Sequence, residues 1–344
     1  MVPWGAPPLI GRLIERYRML DQLPWREHRN GVTIYRMPFV HLPVVGARFD
    51  AKLLVRSQRR VLKSLHEDFP FDVIDAEFFW PDGPAAIALG KALAVPVSIK
   101  ARGADIHYWG KNPATAAQVI AAGQAADGML AVSAALKADM VSLGMPEDRI
   151  TVHYTGIDRG RFHVRDRAVA KAALGIAGPL LVSVGALIAR KRHHIVIDAM
   201  KQVPEATLVI IGEGTGRAAL ETQAAPLGAR VRFLGSQPHD VIADWLAAAD
   251  AMVLMSVSEG LANAWVEALA SGTPVVIPDV GGAREVLDWP EAGMFAHPDP
   301  ASVADAIQQV LVRDAHRHTV AATVGRFSWE ANTKALFDHL SALV

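Results

Sequence analysis

Short apolar runs alternate with helical stretches along most of the chain. After residue 70, runs of four to six apolar residues recur, and most of them precede an alanine-rich or amphipathic segment with helical spacing. The runs lie at 71–75, 95–99, 128–132 and 150–153, and again at 180–185, 207–212, 230–234, 250–255 and 274–277. Such runs between helical segments are typical of the buried strands of a parallel sheet. The pattern therefore predicts an α/β protein with two doubly wound, Rossmann-like domains.

A polar segment separates the two series of strands. Residues 161–179 are charged and polar and contain glycine, so they are predicted to be a linker. The first domain is then 1–160, the second is 180–327, and a last helical segment occupies 328–344.

The first 66 residues are rich in basic side chains. Helical spacing of apolar residues predicts helices over 9–20 and 48–66, and a short strand is predicted at 32–35. Residues 1–66 contain twelve Lys and Arg against four Asp and Glu. A basic helix face beside apolar residues can dock on an anionic membrane, and an ordinary solvated face is the alternative.

The composition excludes several classes of protein. The 344 residues carry no formal net charge and are 51% hydrophobic, which fits a globular protein of two domains but not a dedicated nucleic-acid binder. Without cysteine, a disulfide framework or a thiolate metal site is excluded. The chain shows no signal-peptide pattern at its start and no apolar run long enough to span a membrane. We therefore expect a cytoplasmic location, with peripheral contact at the inner membrane face as an extension.

The stretch 256–277 has the most specific chemistry. It places Glu259 in a loop after an apolar run and Glu267 eight positions later, inside a helical segment that Gly272 closes. A helix N-terminus favours an anion, because its first N–H groups have no partner within the helix. Two carboxylates beside such a site could accept hydrogen bonds from sugar hydroxyls. Two solvated glutamates on a surface loop are the alternative.

Several sequence motifs carry a resemblance to a known family. They are VG at 184–185 with Lys191, LVIIGEG at 208–214, VRFLG at 231–235, SEG at 258–260 with Asn263 and Glu267, GTPVV at 272–276, GGARE at 281–285 and FSWE at 327–330. Together they resemble the donor-site signature of glycosyltransferase family 4, in which the paired glutamates form the E-x7-E motif. They keep the order of that family over about half of the chain.

The resemblance implies the GT-B fold, in which two doubly wound domains face each other across a cleft. Domain 1–160 would then lie on the acceptor side, domain 180–327 would bind the nucleotide-sugar donor, and segment 328–344 would cross back to the first domain. Family members open with an apolar strand and a glycine-rich loop, and neither is recognisable before Val32. We therefore expect the first domain to lack its first strand and to be truncated at its start.

The resemblance also implies roles for individual residues. Glu259 would bind the donor sugar, Glu267 the ribose, and Lys191 with Arg190 the diphosphate. The remaining residues predicted to line the nucleotide pocket are Gly185, Gly214, Gly260, Leu261, Ala262 and Asn263. Ala186 stands where the family often has an arginine, and a solvated basic loop is the alternative interpretation of Lys191 and its neighbours.

Two positions of the first domain also match the family. Asp105 matches the aspartate of the (His/Arg)-Gly-x-Asp stretch of the family and could orient an acceptor hydroxyl or another loop; structural capping is the alternative. We count it, with Glu259 and Lys191, among the predicted catalytic residues. Glu77 lies where many family members carry a histidine near the reacting sugar.

Two further local motifs suggest a dinucleotide site and a metal site, and the spacing of their residues argues against both. The GEGTG sequence at 212–216 departs from the spacing of a dinucleotide fingerprint, so NAD binding is not expected. His193 and His194 are adjacent and do not share a helix face, so no metal site is predicted.

The combined prediction is a retaining, metal-independent glycosyltransferase. It would move a sugar from a nucleoside-diphosphate sugar, acting as co-substrate, to a hydroxyl acceptor that is a glycan, a lipid or a small molecule, and it would need no cofactor. A GT-B sugar-nucleotide epimerase is one alternative. A truncated, non-catalytic relative that binds a nucleotide or a partner protein is the other.

Overall fold

The computed structural model describes residues 1–6, 19–20, 22–42, 46–313 and 315–344. The chain forms two compact units. The first contains residues 1–132, 136–153 and 336–344, and the second contains residues 133–135 and 154–335.

The first unit contains two separate sheets. Three strands, β1 (Val2–Ala6), β2 (Arg26–Arg29) and β3 (Val32–Val40), form a sheet in the order β1-β3-β2, with β1 parallel and β2 antiparallel to β3. Four parallel strands form the other sheet in chain order, namely β4 (Ile74–Ala76), β5 (Val97–Ala101), β6 (Gly128–Ala131) and β7 (Ile150–Val152).

Strand β1 corrects one expectation from the sequence. A strand does precede Val32, although Pro3 and Gly5 obscure it in the sequence. Proline is tolerated because β1 lies at the edge of the described sheet and pairs with one neighbour only. Glycine is required because a Cβ at Gly5 would lie 2.9 Å from the Cβ of His41.

The helices of the first unit follow the predicted pattern. They are α1 (Asp50–Asp68), α2 (Asp82–Leu93), α3 (Ala116–Ala125) and α4 (Ala134–Ser142). The helix predicted over 9–20 lies outside the described residues, apart from Met19 and Leu20. A π-helical turn, Asp105–Trp109, follows β5.

The second unit has one parallel sheet of six strands. The strands are β8 (Leu180–Val184), β9 (Thr207–Ile211), β10 (Val231–Gly235), β11 (Ala251–Val253), β12 (Val275–Ile277) and β13 (Gly293–Phe295). Their order in space is β10-β9-β8-β11-β12-β13. The chain runs outward from β8 to β10 and returns to β11 on the other side of β8. The neighbours β8 and β11 therefore form a topological switch point, beyond whose carboxyl ends ligands bind in open α/β sheets.

Eight helices surround or extend this sheet in the described residues. They are α5 (Arg167–Ala173), α6 (His193–Ala199), α7 (Arg217–Ala224), α8 (His239–Ala248), α9 (Asn263–Ala270), α10 (Pro300–Arg313), α11 (Arg317–Ala322) and α12 (Trp329–Ser341). The sheet is apolar on both faces, and all residues of β11 and β12 are buried. Burial on both faces explains why these strands are continuous apolar runs in the sequence.

The segment 161–179, expected to be a linker, contains α5 and groups with the second unit. Arg167 and Lys171 of this helix bind the carboxylate of Asp250 at 3.1 and 2.5 Å. The Asp250 carboxylate also accepts a hydrogen bond from the Leu180 amide at 2.6 Å. The Asp250 carboxylate therefore holds α5 beside the start of β8.

The last nine residues, 336–344, group with the first unit. There, His339 Nε2 lies 3.1 Å from the hydroxyl of Ser98, a buried residue of β5. In the described part of the chain, no helix is both long and apolar enough to cross a membrane.

Candidate functional site

The carboxyl ends of β8 and β11 bring together residues far apart in the sequence. The loop after β8 carries Arg190 and Lys191, and the loop after β11 carries Glu259. Lys191 Nζ lies 2.5 Å from Oε1 of Glu259, and Arg190 Nη1 lies 3.5 Å from Oε2. The side chains of Lys191 and Glu259 are only 14% and 10% exposed. Three residues that the sequence predicted as one site therefore meet.

The backbone of the two loops is also joined. Arg190 donates a hydrogen bond from its guanidinium to the Ser258 carbonyl at 2.6 Å, and its own carbonyl accepts one from the Val257 amide at 2.8 Å. These bonds fix the loop that precedes Glu259. The geometry thus presents a carboxylate flanked by two cations.

Glycine at position 281 is required by close backbone packing against Glu259. Gly281 has a φ of 51°, and a Cβ there would lie 1.9 Å from the Glu259 carbonyl oxygen. The next amide, of Gly282, donates to the Gly260 carbonyl at 2.8 Å. The GG pair at 281–282 is therefore a support for the Glu259 loop.

Glu267 lies in α9, and its carboxyl group has no direct partner among the described residues. Burial raises its pKa, while His239 and Arg161 oppose this shift from a distance. Because no described side chain or amide uses its oxygens, both can accept hydrogen bonds from a ligand. Glu267 lies inside the helix that follows the Glu259 loop, as the sequence predicted.

The remaining predicted residues lie at the same edge of the sheet. Gly185 directly follows β8, and Gly214 follows β9, where a Cβ would lie 2.4 Å from the Leu187 carbonyl oxygen. Gly260, Leu261 and Ala262 are buried, and Asn263 is exposed as the first residue of α9. The first amides of α9 have no acceptor within the helix. A ligand anion could therefore bind there.

Asp105 has a different environment, in the first unit. Its side chain is fully buried and accepts hydrogen bonds from the amides of Phe79, Arg102 and Gly103 at 3.2, 3.0 and 2.8 Å. Burial raises its pKa, and these amides oppose the shift. Of the two roles predicted for Asp105, the structure shows the orientation of neighbouring loops; the carboxylate is not accessible to a substrate hydroxyl.

His193 is a site residue that sequence reasoning missed. It is 1% exposed, and its Nδ1 lies 3.0 Å from the hydroxyl of Ser183. Burial lowers its pKa to about 4, so the ring is neutral at ordinary pH. A Cβ at Gly185 would lie 3.7 Å from His193 Nε2 and 3.6 Å from Lys191 Cδ, so both side chains flank this glycine. No local motif marks such packing, and the sequence analysis considered His193 only as a metal ligand and rejected that role.

No group of three or more His, Asp or Glu side chains could hold a metal ion within the described ranges.

Family models match both halves of the chain. Residues 21–161 match the model described as Glycosyltransferase Family 4, and residues 178–313 match the model described as Glycosyl transferases group 1. With two Rossmann-like units and a site at the switch point of the second, these matches define a glycosyltransferase of the GT-B fold.

Curated relatives identify the family. The D-inositol 3-phosphate glycosyltransferase of Frankia alni is 30% identical over 303 residues, which are 79% of this chain and 74% of that protein. The putative teichuronic acid biosynthesis glycosyltransferase TuaC of Bacillus subtilis is 28% identical over 314 residues, which are 89% of this chain and 77% of that protein. The chain belongs to glycosyltransferase family 4. Six further curated relatives are matched over only 48% to 58% of their own length.

A solved structure supports the same fold. The Anabaena protein HepE, determined in complex with UDP-glucose, has a TM-score of 0.75 and 21% sequence identity to this chain. The match covers 99% of this chain and 91% of HepE.

Proposed function

We propose that the chain transfers a sugar from a nucleoside-diphosphate sugar to a hydroxyl acceptor, with retention of configuration at the anomeric carbon. The observation that carries the proposal is the meeting of Lys191, Arg190 and Glu259 at the switch point of the second unit. The open carboxyl group of Glu267 supports it. UDP is the first nucleotide to test because HepE was solved with UDP-glucose.

Each residue has a distinct role in donor binding. Lys191 and Arg190 supply two positive charges for the diphosphate, and the first amides of α9 add hydrogen-bond donors. Glu259 accepts hydrogen bonds from hydroxyls of the donor sugar. Glu267 accepts hydrogen bonds from the ribose. The ion pair between Lys191 and Glu259 holds both side chains close to the donor site before the donor arrives.

We propose that catalysis is electrostatic and positional. The positive charges at Lys191 and Arg190 stabilise the diphosphate as it leaves, in the role that a metal ion has in other transferases. The acceptor hydroxyl attacks the anomeric carbon on the face from which the diphosphate departs, and its proton passes to the leaving phosphate oxygen. This front-side displacement needs no protein nucleophile and no cofactor, and it retains the anomeric configuration.

We propose a cytoplasmic location with peripheral contact to an anionic membrane, and no nucleic-acid partner. In α1, five basic side chains are exposed, and they are Lys52, Arg56, Arg59, Arg60 and Lys63. Phe49 and Phe69 flank the helix and are 45% and 70% exposed. Basic residues beside apolar ones suit an interface of anionic headgroups and acyl chains.

Calorimetric titration with UDP tests the donor site. We expect binding by the natural sequence, and a loss of roughly ten- to a hundredfold in affinity for Glu267→Ala, because a hydrogen bond to a charged group contributes about 1.5–3 kcal/mol. Glu205→Ala is a matched control, since Glu205 is an exposed glutamate of the same unit. Equal affinities for the two variants would contradict the assignment of Glu267 to the ribose.

A further inference from the structure

An ion-pair cluster lies at the carboxyl ends of β4 and β5 in the first unit. Arg102 binds the carboxylate of Glu77 through Nη2 and the Glu77 carbonyl through Nε at 3.0 Å. Lys100 Nζ lies 3.7 Å from the same carboxylate oxygen, Oε2. Glu77 and Arg102 are 49% and 44% exposed, whereas the Lys100 side chain is 7% exposed. In this cluster the Lys100 side chain is therefore buried, whereas the Glu77 and Arg102 side chains are accessible to a ligand.

The cluster stands on a rigid support. The buried Asp105 accepts hydrogen bonds from Phe79 in the loop after β4 and from Arg102 and Gly103 in the loop after β5. One fully buried carboxylate thus ties the two loops together. The π-helical turn Asp105–Trp109 continues from it, and such turns are rare and occur frequently at functional sites. Groups held this firmly lose little entropy when they bind a ligand.

Part of the hydrogen-bonding capacity of the pair is unused. Both cations approach Oε2 of Glu77, so Oε1 makes no hydrogen bond among the described residues. The Nη1 group of Arg102 likewise has no described partner, while Nε and Nη2 are engaged. The pair therefore offers one free acceptor, a carboxylate oxygen, and one free donor, a guanidinium nitrogen. Neighbouring hydroxyl groups of a polyol can bind both, because a hydroxyl donates as well as accepts.

The charges of the cluster are already balanced. Glu77 neutralises Arg102, and Lys100 lies close to both Glu77 and Asp75. Burial disfavours the charges of Lys100 and Asp75 alike, because it lowers the pKa of Lys100 and raises the pKa of Asp75. An anionic ligand would have to compete with these internal carboxylates for the two cations. A neutral ligand would not compete with these carboxylates. The cluster therefore favours hydroxyl groups over phosphate or carboxylate groups.

Aromatic side chains accompany the same loops. Tyr108 is 60% exposed, and its ring centroid lies 4.8 Å from that of Trp109. Trp109 in turn lies 6.4 Å from Trp80, which follows Glu77 in the loop after β4. Trp80 is buried and Trp109 is partly buried, so Tyr108 is the ring of these three that offers apolar contact to a ligand at these loops.

We propose that the Glu77–Arg102 pair binds the acceptor and that the acceptor is a neutral sugar or polyol with adjacent hydroxyl groups. Glu77 Oε1 accepts from one hydroxyl, and Arg102 Nη1 donates to the oxygen of its neighbour. Glu77 thereby acts as a positioning residue for the acceptor. The assignment of this ligand as the acceptor rests on the proposed function.

Saturation-transfer NMR tests the ligand class without the donor. The probes are methyl α-glycosides of glucose, mannose and galactose, with glucose 6-phosphate as the anionic counterpart. We expect at least one neutral glycoside to bind, and to bind more tightly than the phosphate. Glu77→Gln removes the acceptor charge and leaves Arg102 without a counter-ion. It should weaken the neutral glycoside by roughly tenfold or more and strengthen the phosphate.

The matched control is Asp72→Asn, since Asp72 is an exposed carboxylate just before β4. It should leave both ligands unchanged. The proposal is overturned if no neutral glycoside binds, if glucose 6-phosphate binds best to the natural sequence, or if Glu77→Gln leaves the preference unchanged. UDP affinity, measured on the same preparations, separates the two proposals. UDP should bind the natural sequence, Glu77→Gln and Asp72→Asn with equal affinity. If UDP did not bind, the result would contradict the proposed function rather than the proposed class of acceptor.

Discussion

Replacing Lys191 with methionine tests the diphosphate site most specifically. The substitution keeps most of the apolar stem of the side chain and removes its charge. In the structure this charge lies 2.5 Å from Glu259, and both side chains are nearly buried. The variant therefore loses a cation for the diphosphate and also leaves a carboxylate near that site with only Arg190, at 3.5 Å, to balance it.

Two contributions set the size of the effect. Loss of a charged hydrogen bond costs about 1.5–3 kcal/mol, which is roughly ten- to a hundredfold in UDP affinity. Repulsion between the unpaired Glu259 and the diphosphate adds to this loss. The double variant Lys191→Met/Glu259→Gln removes the repulsion as well as the cation. It should therefore bind UDP several-fold more tightly than Lys191→Met alone, a non-additivity expected for contacting residues.

The assay compares UDP with uridine by calorimetry. Lys191→Met should weaken UDP by at least about tenfold and leave uridine within about threefold, because uridine has no phosphate. Lys201→Met, which removes an exposed lysine paired with Asp198, is the control and should change neither ligand. Equal losses for UDP and uridine would refute the reasoning, since they would show that Lys191 supports the fold rather than the diphosphate.

Three further predictions follow from burial and charge. Because burial raises the pKa of Glu267, the folded state disfavours its charge. Denaturant titrations should therefore show Glu267→Gln gaining stability over the natural sequence as pH rises above the ordinary glutamate value of 4.5, with no gain below it. A difference that does not change with pH would contradict the shift. Asp105→Ala leaves the amides of Phe79, Arg102 and Gly103 without this acceptor. It should lower the free energy of unfolding by about 3 kcal/mol without altering UDP affinity, and an unchanged unfolding midpoint would contradict its structural role. If the basic face of α1 contacts membranes, cosedimentation with anionic vesicles should be strong at low salt and fall steeply as salt rises, and negligible binding at low salt would leave a solvated face.

Much of the second unit could be predicted from the sequence because its strands are buried on both faces. Burial on both faces produces continuous apolar runs, and five of the six strands were recognised from them. The sixth, β13, begins at Gly293 and none of its three residues is fully buried, so it does not form a continuous apolar run. The meeting of Lys191 with Glu259 was also predictable, since both follow strands that the family pattern places side by side.

The unpredicted features depend on contacts between distant positions. The pairing of Glu77 with Arg102 joins residues 25 positions apart, and that of Ser98 with His339 joins residues 241 positions apart. Neither separation leaves a local signal of hydrophobic period or spacing. The burial of Asp105 is similar, because its three amide partners lie on two different loops. Strand β1 was missed for a different reason, since proline and glycine in a five-residue edge strand imitate a turn.

The most direct test of sugar transfer is a proton NMR time course with UDP-glucose and the methyl glycosides as acceptors. We predict release of UDP together with a new glycoside whose anomeric proton keeps the α configuration of the donor. Loss of this product in Lys191→Met, with retention in Lys201→Met, would link it to the described site. An inverted β product would contradict the retaining mechanism. Conversion of UDP-glucose into another sugar nucleotide without a glycoside product would contradict sugar transfer itself and identify an epimerase.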